Sequence, residues 1–581
     1  MPRLTLVVLI SGVLLGLSLV IVKEQSLTIV QAASQSLMLN SEPAAIAAGN
    51  TYIVNSTADT PDADVGNPTC ADANGMCTLR AAIMQANFVT GADTITLPSG
   101  VFLLTRSGDD DADVLGDLDI ADDLTIQGAG SSATIVDGNG AVTADRVFQI
   151  LSSAKETSFS GLTIRNGKKV ANTFDEGGGL YWEGGGSHLI LNDVLFEGNT
   201  SRYGGGLYMN YSSAGDMVDI NRVVVHANTA TAAAGGLGVN FGDFAGFDLR
   251  STQIYSNTAY EGGGLYFQST SVPFGLLSVR IENSEIYSNT ASLSAGIENH
   301  SGDATVPVVL LNSHLYHNSA GFYGGAIGNY GALDIYTSTL EANSAGTRGG
   351  GLYNYEGGKV DMVQSTLSGN LAQFGGGIYS ELFVHNTAAL TMTNSTISGN
   401  SASRDGGGLY ADGGHTQFFN DTIANNHVLV PLGIFYAGMG GGLYITGSAI
   451  IAAQNSLIAD NTHRYQALPP EPDDCFGPIN PRWYNLIETT NNCTFIGSTF
   501  NNITGVDPML GPLRHNGGST QTQAPRSSSP AIDAGQTPFC TVATFVPLTV
   551  DQRGFPRPIG PQCDIGAVEY SPYALYLPFV Q

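Results

Sequence analysis

One phrase recurs along most of this 581-residue chain: an apolar residue, two variable positions and an asparagine, followed shortly by a glycine run and then Leu-Tyr or Ile-Tyr. The asparagine appears in FEGN (Asn199), VHAN (Asn228), IYSN (Asn257 and Asn289), LYHN (Asn318), LEAN (Asn343), LSGN (Asn370), ISGN (Asn400), IANN (Asn426) and IADN (Asn461). From Asn199 to Asn426 there are eight steps in 227 residues, about 28 each. Glycine turns such as Gly204, Gly235, Gly262, Gly375 and Gly406 keep the same step. Self-similarity at a fixed period of this length marks a solenoid, in which each unit buries its apolar face only against its neighbours.

Local chemistry decides which solenoid. Each repeat holds short runs rich in Val, Ile, Leu, Thr and Tyr, such as ALTMTNSTI (389–397), with period-two alternation and no helical stripe. Helical repeats need long glycine-free stretches, and leucine-rich repeats need their own leucine spacing; neither pattern is present. The expected fold is therefore all-β: a right-handed parallel β-helix with an N-terminal cap helix and an irregular, disulfide-bearing C-terminal region. Ten to thirteen coils stacked at about 4.8 Å give a rod of roughly 50–60 Å.

Stacking gives the asparagines a task. Equivalent positions in successive coils lie above one another, so the amides of Asn199, Asn228, Asn257, Asn289, Asn318, Asn343, Asn370, Asn400 and Asn426 are expected to form a buried ladder that satisfies both ends of each side chain. Asn and the glycines after it also tolerate the left-handed backbone of a tight corner. The reading is structural, since ten identical sites exceed what one pocket needs.

Composition narrows the partners. The chain has 74 glycines, only 12% charged residues and a formal charge of −28. Such a surface repels phosphate backbones and anionic membranes, so no nucleic-acid partner is expected. Residues 4–22 form an uncharged apolar run behind Arg3, and VQAAS (30–34) offers a cleavage point after Ala32, as in an export signal over residues 1–32. The run is also long enough to serve as an uncleaved anchor. The six cysteines fall into pairs close in sequence, Cys70 and Cys77, Cys475 and Cys493, Cys540 and Cys563, which suits local disulfides in an exported protein. Metal ligation is the competing reading, but no CxxC or Cys/His cluster is present.

The [FIL]xxN and GG[AG][LI] phrases resemble the repeats of polymorphic outer membrane proteins and right-handed β-helix surface proteins over residues 120–465. YIVNSTADTPDADVGNPTCADANGMCTLRAAIMQAN (52–87) is similar to the CSLREA domain of exported bacterial β-helix proteins, except that Ala81 stands where that family carries Glu. NGGSTQTQAPRSSSPAIDAG (516–535) with DQRGFPRPIGPQCDIGAVEY (551–570) resembles the choice-of-anchor Q domain. The resemblance implies a secreted or surface-attached β-helix, with possible attachment to the envelope, and carries over no catalytic residue. Within it, residues 50–119 read as a cap with the first strands and 120–465 as the repeats. Residues 466–570 read as a C-terminal region closing the far end of the rod, and 571–581 as a tail. Thr78 is expected to cap a helix whose Leu79, Ala82, Ile83 and Ala86 plug the near end.

Candidate chemistry is sparse. In GDDDADVLGDLDIADDL (108–124), Asp109, Asp111 and Asp113 alternate as calcium ligands could, but the EF-hand glycine and glutamate are missing, and a solvated loop is the preferred reading. After each glycine turn, strand alternation points the aliphatic residue inward and tyrosine outward, so Tyr353, Tyr379, Tyr410 and Tyr444 in consecutive coils are expected to form an aromatic stripe whose rings shield one another, with a glycan-binding face as the sharper alternative. GGHT (413–416) and VRIEN (279–283) are poor matches to polygalacturonase phrases. Arg165, Lys168 and Lys169 lack the recurring carboxylates of a pectate lyase. The function expected is extracellular interaction by a monomer, through adhesion or glycan contact and without catalysis; a lyase or hydrolase acting in a lateral groove is the alternative.

Overall fold

In the coil at 359–381, strand Lys359–Val363 runs into Thr366–Ser368, a corner at Gly369 and Asn370 leads to Leu371–Phe374, and three glycines lead to Ile378–Glu381. Each strand pairs in parallel with its equivalent one coil on: Met362 with Met392, Leu367 with Ile397, Leu371 with Ser401, Ile378 with Leu409. The first and second strands of successive coils form a broad sheet, the fourth strands stack in a ladder of their own that meets it through strand Cys475–Trp483, and the third strands make a separate 12-stranded sheet. This computed structural model is a parallel β-helix of about 12 turns. It describes residues 49–572 except 109, 111, 173–174, 212, 214, 242–244, 270–278, 302–306, 382–387, 435, 437, 537–539 and 542–545. The leader expected over residues 1–32 and the tail beyond 572 lie outside the described residues. No described helix is long and apolar enough to cross a membrane.

Like residues stack on like. Leu367, Ile397, Ile423 and Ile458 are fully buried one above another, as are Ile378, Leu409 and Leu443. A single apolar core thus runs the length of the rod. Coil spacing also dictates the glycines. A Cβ on Gly377 would lie 2.5 Å from the carbonyl oxygen of Gly408 and 3.2 Å from the amide of Asn400, and Gly375 has φ +63°.

The asparagines stack from Asn199 to Asn461, all buried. Each Oδ1 accepts from the backbone N–H and from the side-chain Nδ2 of the preceding asparagine. For Asn370, both bonds from Asn343 are 3.0 Å. Each Nδ2 donates onward, 2.8 Å from Asn370 to Asn400 Oδ1, and also to a backbone carbonyl, here Leu340 at 2.9 Å. The column ends on Asp474, whose Oδ1 accepts from Asn461 N–H and Nδ2. A second polar column, not anticipated from the sequence, lines the corner between the first and second strands. There Ser284, Ser313, Ser338, Ser365 and Ser395 each cap the backbone N–H of the coil before with a hydroxyl.

Helix Leu79–Phe88 sits at the near end of the rod, with Thr78 Oγ1 accepting from Ala81 N–H at 3.1 Å and Leu79, Ala82, Ile83 and Ala86 in the core. Disulfides join Cys70 to Cys77, Cys475 to Cys493 and Cys540 to Cys563.

The C-terminal region does not close the far end as expected. Coiling continues past residue 465, through Cys475–Trp483, Leu486–Ile487, Cys493–Phe495 and Ile503–Thr504, each in parallel register with earlier coils. The chain from about Leu510 to Glu569 then folds back along the side of the rod. Thr366 Oγ1 donates to Gln521 O, Thr396 Oγ1 to Gln552 Oε1 and Arg557 Nη1 to Asn394 Oδ1, across separations of 155–163 residues. The physical reason lies in the second strands. Their outward residues from Thr366 onward are hydroxyl-bearing or apolar, a surface that needs hydrogen-bonding and packing partners rather than water. Ala424, Leu457, Ala459 and Leu486 pack against Leu510, Ala531 and Ile565.

Candidate functional site

The outward positions of the second strands change character along the rod. His226, Tyr255, Tyr287 and Tyr316 occupy successive coils, half-buried, with ring centroids 4.9, 4.8 and 4.7 Å apart and planes within 8° of parallel. At the same register Ser368, Ser398, Ala424 and Ala459 follow Glu341, and it is these that the returning C-terminal segment covers. The difference is legible in the repeats, IYSN and LYHN where the face is open against LSGN, ISGN and IANN where it is covered; the sequence reading treated them as equivalent.

A groove runs along the border between segment and rod. Its first cleft lies between His314 and Glu341 on the coils and His515 and Gln521 on the segment. The second shares Glu341 and continues past Gln523 and Arg526 to His427 and Asp460. The third shares His427 and Asp460 and ends at Arg464, Pro472 and Glu488. From His314 to Leu486 the second strands take six coil steps, a length of roughly 29 Å at the spacing between strands.

Hydrogen bonds orient the lining groups. His314 Nε2 lies 3.1 Å from Glu341 Oε2, and this bond to the imidazole holds the Glu341 carboxyl below its ordinary range. Burial, assisted by Arg464, holds His427 below the usual histidine range, so it is neutral near pH 7; its Nδ1 lies 2.9 Å from Thr462 Oγ1. Burial and then the charges of Glu488 and Asp507 push Asp460 up. Oxygens of Asp460, Glu488 and Asp507 lie within 4.8 Å of one another, which could hold a cation, although Glu488 Oε2 already accepts from the Asp460 backbone N–H.

A glycan-binding tyrosine face needs open rings, and the outward exposure expected for the stripe requires correction. Tyr353 and Tyr379 are 2% and 3% exposed, and only Tyr410 and Tyr444 are partly open. Tyr379, Tyr410, Tyr444 and Phe476 stack at 4.7–5.0 Å between neighbours, while Tyr353 stacks on Tyr323 at 5.0 Å and meets Tyr379 tilted by 43° at 5.8 Å. Rings stacked at coil spacing spend their faces on each other, and a sugar needs a face. The turn before this sheet then covers them: Arg348 lies over the Tyr379 ring at 4.9 Å while pairing with Glu381 at 2.8 Å, and Tyr353 Oη donates to Glu381 at 3.1 Å.

The calcium expectation also changes. Asp109 and Asp111 lie outside the described residues. Asp113 is 1% exposed and bound into the cap, its oxygens accepting from Asp119 N–H and Asn87 Nδ2. It is an interior group, not part of a solvated loop. Arg165 and Lys169 are held in ion pairs with Asp137 and Asp145 at 2.8 and 2.6 Å.

The fold and groove define a parallel β-helix with a laterally docked C-terminal segment. Residues 394–412 match the Chlamydia polymorphic membrane protein repeat. The chain resembles the crystal structure of pectate lyase Pel9A at 13% identity and a TM-score of 0.33, over 91% of this chain and 98% of that one. It also resembles the A-module of the mannuronan C-5 epimerase AlgE6 of Azotobacter vinelandii at 14% identity and a TM-score of 0.25, over 74% and 95%. No curated protein matches the chain. Likeness of this degree says nothing of catalysis.

Proposed function

We propose that this is an exported protein, exposed outside the cell, that holds an extended neutral polysaccharide in the groove between its coils and its C-terminal segment. The observation that carries the reading is the groove's continuity over six coil steps, lined by carboxylates, imidazoles and amides that bond sugar hydroxyls. An extended peptide is a poorer occupant, because the backbone groups of the lining strands are spent on neighbouring coils and leave no lateral sheet edge to extend. The charge of −28 disfavours polyuronates and nucleic acids. Three disulfides and the apolar leader support export.

Retention on immobilised neutral glucans, mannans and xylans tests this. The wild-type protein is expected to be retained by at least one, and the double variant His314→Ala, Arg464→Ala to bind it about tenfold more weakly, the equivalent of ~1.4 kcal/mol. Equal retention of both proteins, or none by the wild type, would overturn the reading.

A further inference from the structure

The two sheets of the rod end differently. The third-strand sheet closes on an antiparallel turn, in which Glu471–Pro472 pairs with His463 and Thr462. Both residues of that edge are exposed, the proline has no N–H to offer, and the Glu471 side chain is 74% open to water. A short edge carrying a charge and a proline does not accept another strand. The broad sheet ends on Cys493–Phe495 and Ile503–Thr504, which pair with Gly477, Pro478 and Ile479 and with Leu486 and Ile487. Among the described residues no strand pairs with their far side. A strand paired on one side keeps a row of backbone N–H and C=O groups on the other, here pointing past the end of the rod.

Nothing in this second edge blocks pairing. Between Glu488 and Asp507 the chain TTNNCTFIGSTFNNITGV (489–506) holds no Lys, Arg, Asp, Glu or Pro. Ile496, Phe500 and Val506 are exposed on it, Phe500 by 69%. The edge is nonetheless firmly built. The disulfide from Cys475 to Cys493 ties the last strand to the one before it. Ile496 N–H donates to Ile479 O at 2.9 Å, and Asn502 Oδ1 accepts from Asn485 N–H and Nδ2 at 2.8 and 3.0 Å, so the loop between the two strands is fixed to the coil beneath. An edge ordered in advance loses little entropy when it pairs.

Charge and closure select the partner. Two copies, each with a formal charge of −28, repel wherever their acidic faces meet, and this neutral end is where they can approach. A twofold axis across it sets the last strands of one copy antiparallel to those of the other, so the same surface complements itself in hydrogen bonds and in apolar contact. Helix Leu79–Phe88 occupies the near end, so copies cannot add head to tail and assembly stops at two. We infer that a second copy of this chain docks on Cys493–Phe495 and Ile503–Thr504 to form a tail-to-tail dimer, in place of the monomer expected from the sequence. Main-chain hydrogen bonds between the last strands and burial of Ile496, Phe500 and Val506 supply the contact. The dimer stands apart from the groove reading, but one consequence rests on it. Each groove ends at Glu488, beside this edge, so two grooves on one particle hold a long polysaccharide more tightly than one.

The test measures mass and length with no glycan present. Sedimentation of the purified protein between about 1 and 100 µM should show a species of twice the chain mass, and small-angle X-ray scattering a maximum dimension close to double that of one rod. The double variant Phe500→Glu, Thr504→Glu sets like charges against each other across the axis and should weaken association about 100-fold. Ile496→Glu should weaken it through a different side chain, and an unchanged β-sheet signal in circular dichroism verifies that the variants fold. A wild-type monomer across that range would overturn the dimer, whether amide exchange finds the last strands open or protected by another part of the chain. So would a dimer that survives both variants, or one whose maximum dimension stays near that of a single rod. A dimer retained on no glycan leaves this interface standing and removes the groove reading; a monomer that is retained does the opposite.

Discussion

At the scale of the residue, the asparagine column shows why one amide can organise a rod. Both donors and both acceptor positions of each side chain are used, half on the neighbouring amide and half on backbone that would otherwise be orphaned at the corner. Asn370→Leu is close in volume but leaves the buried Asn343 N–H without its acceptor and takes one partner each from the Leu340 carbonyl, Asn343 Nδ2 and Asn400 Oδ1. At about 1–3 kcal/mol for the group left unpaired and about 0.5–1.5 kcal/mol for each further bond lost, the variant should lose at least ~2 kcal/mol in urea denaturation. Unchanged stability would contradict the column. Buried carboxyls predict a pH effect. Burial pushes Asp113, Asp117, Asp474 and Asp564 each up to about 7, from 3.8 in the unfolded chain. Each binds its proton more tightly when folded. The stability this supplies is complete below about pH 4 and is lost as pH rises through 7. The melting temperature should therefore fall between pH 5 and pH 8; a rise across that window would show that these groups do not control it.

At the scale of the element, the C-terminal segment is held by a few polar side chains beside an apolar cluster. Gln552 is 1% exposed; its Nε2 donates to Ser365 O, Thr366 Oγ1 and Thr520 Oγ1, and its Oε1 accepts from Thr396 Oγ1 at 2.6 Å. Gln552→Ala should loosen the segment, increasing protease cleavage within residues 510–570 several-fold while the β-sheet signal in circular dichroism stays intact. Equal cleavage rates would mean that the apolar contacts of Ala424 and Leu457 suffice. The cap helix was legible in the sequence because its signals are local: a threonine N-cap and an apolar face within ten residues. The docking of the segment was not, since its partners lie some 155 residues away. Only the shift from tyrosine to serine and alanine in the second strands hinted at a covered face.

At the scale of the whole molecule, charge bears on the ligand proposed for the groove. A surface of −28 attracts no polyanion at low salt, and exposed charges are screened over about 10 Å at 0.1 M. Polygalacturonate should therefore not be retained at low salt, and retention of a neutral glycan should barely change between 50 and 500 mM NaCl. Strong salt weakening of neutral-glycan binding would point to ion pairing in place of hydroxyl recognition.

Period, strand alternation and the asparagine-glycine corner came from the sequence by itself, because a solenoid writes nearest-neighbour contacts into a fixed interval along the chain. Where a ring points to solvent and where it is spent on the ring above, which hydroxyl-bearing face receives a distant segment, and which strands end the broad sheet were decided only by tertiary structure. Those outcomes depend on what covers each outward position, and the covering residues lie at separations that no repeat records.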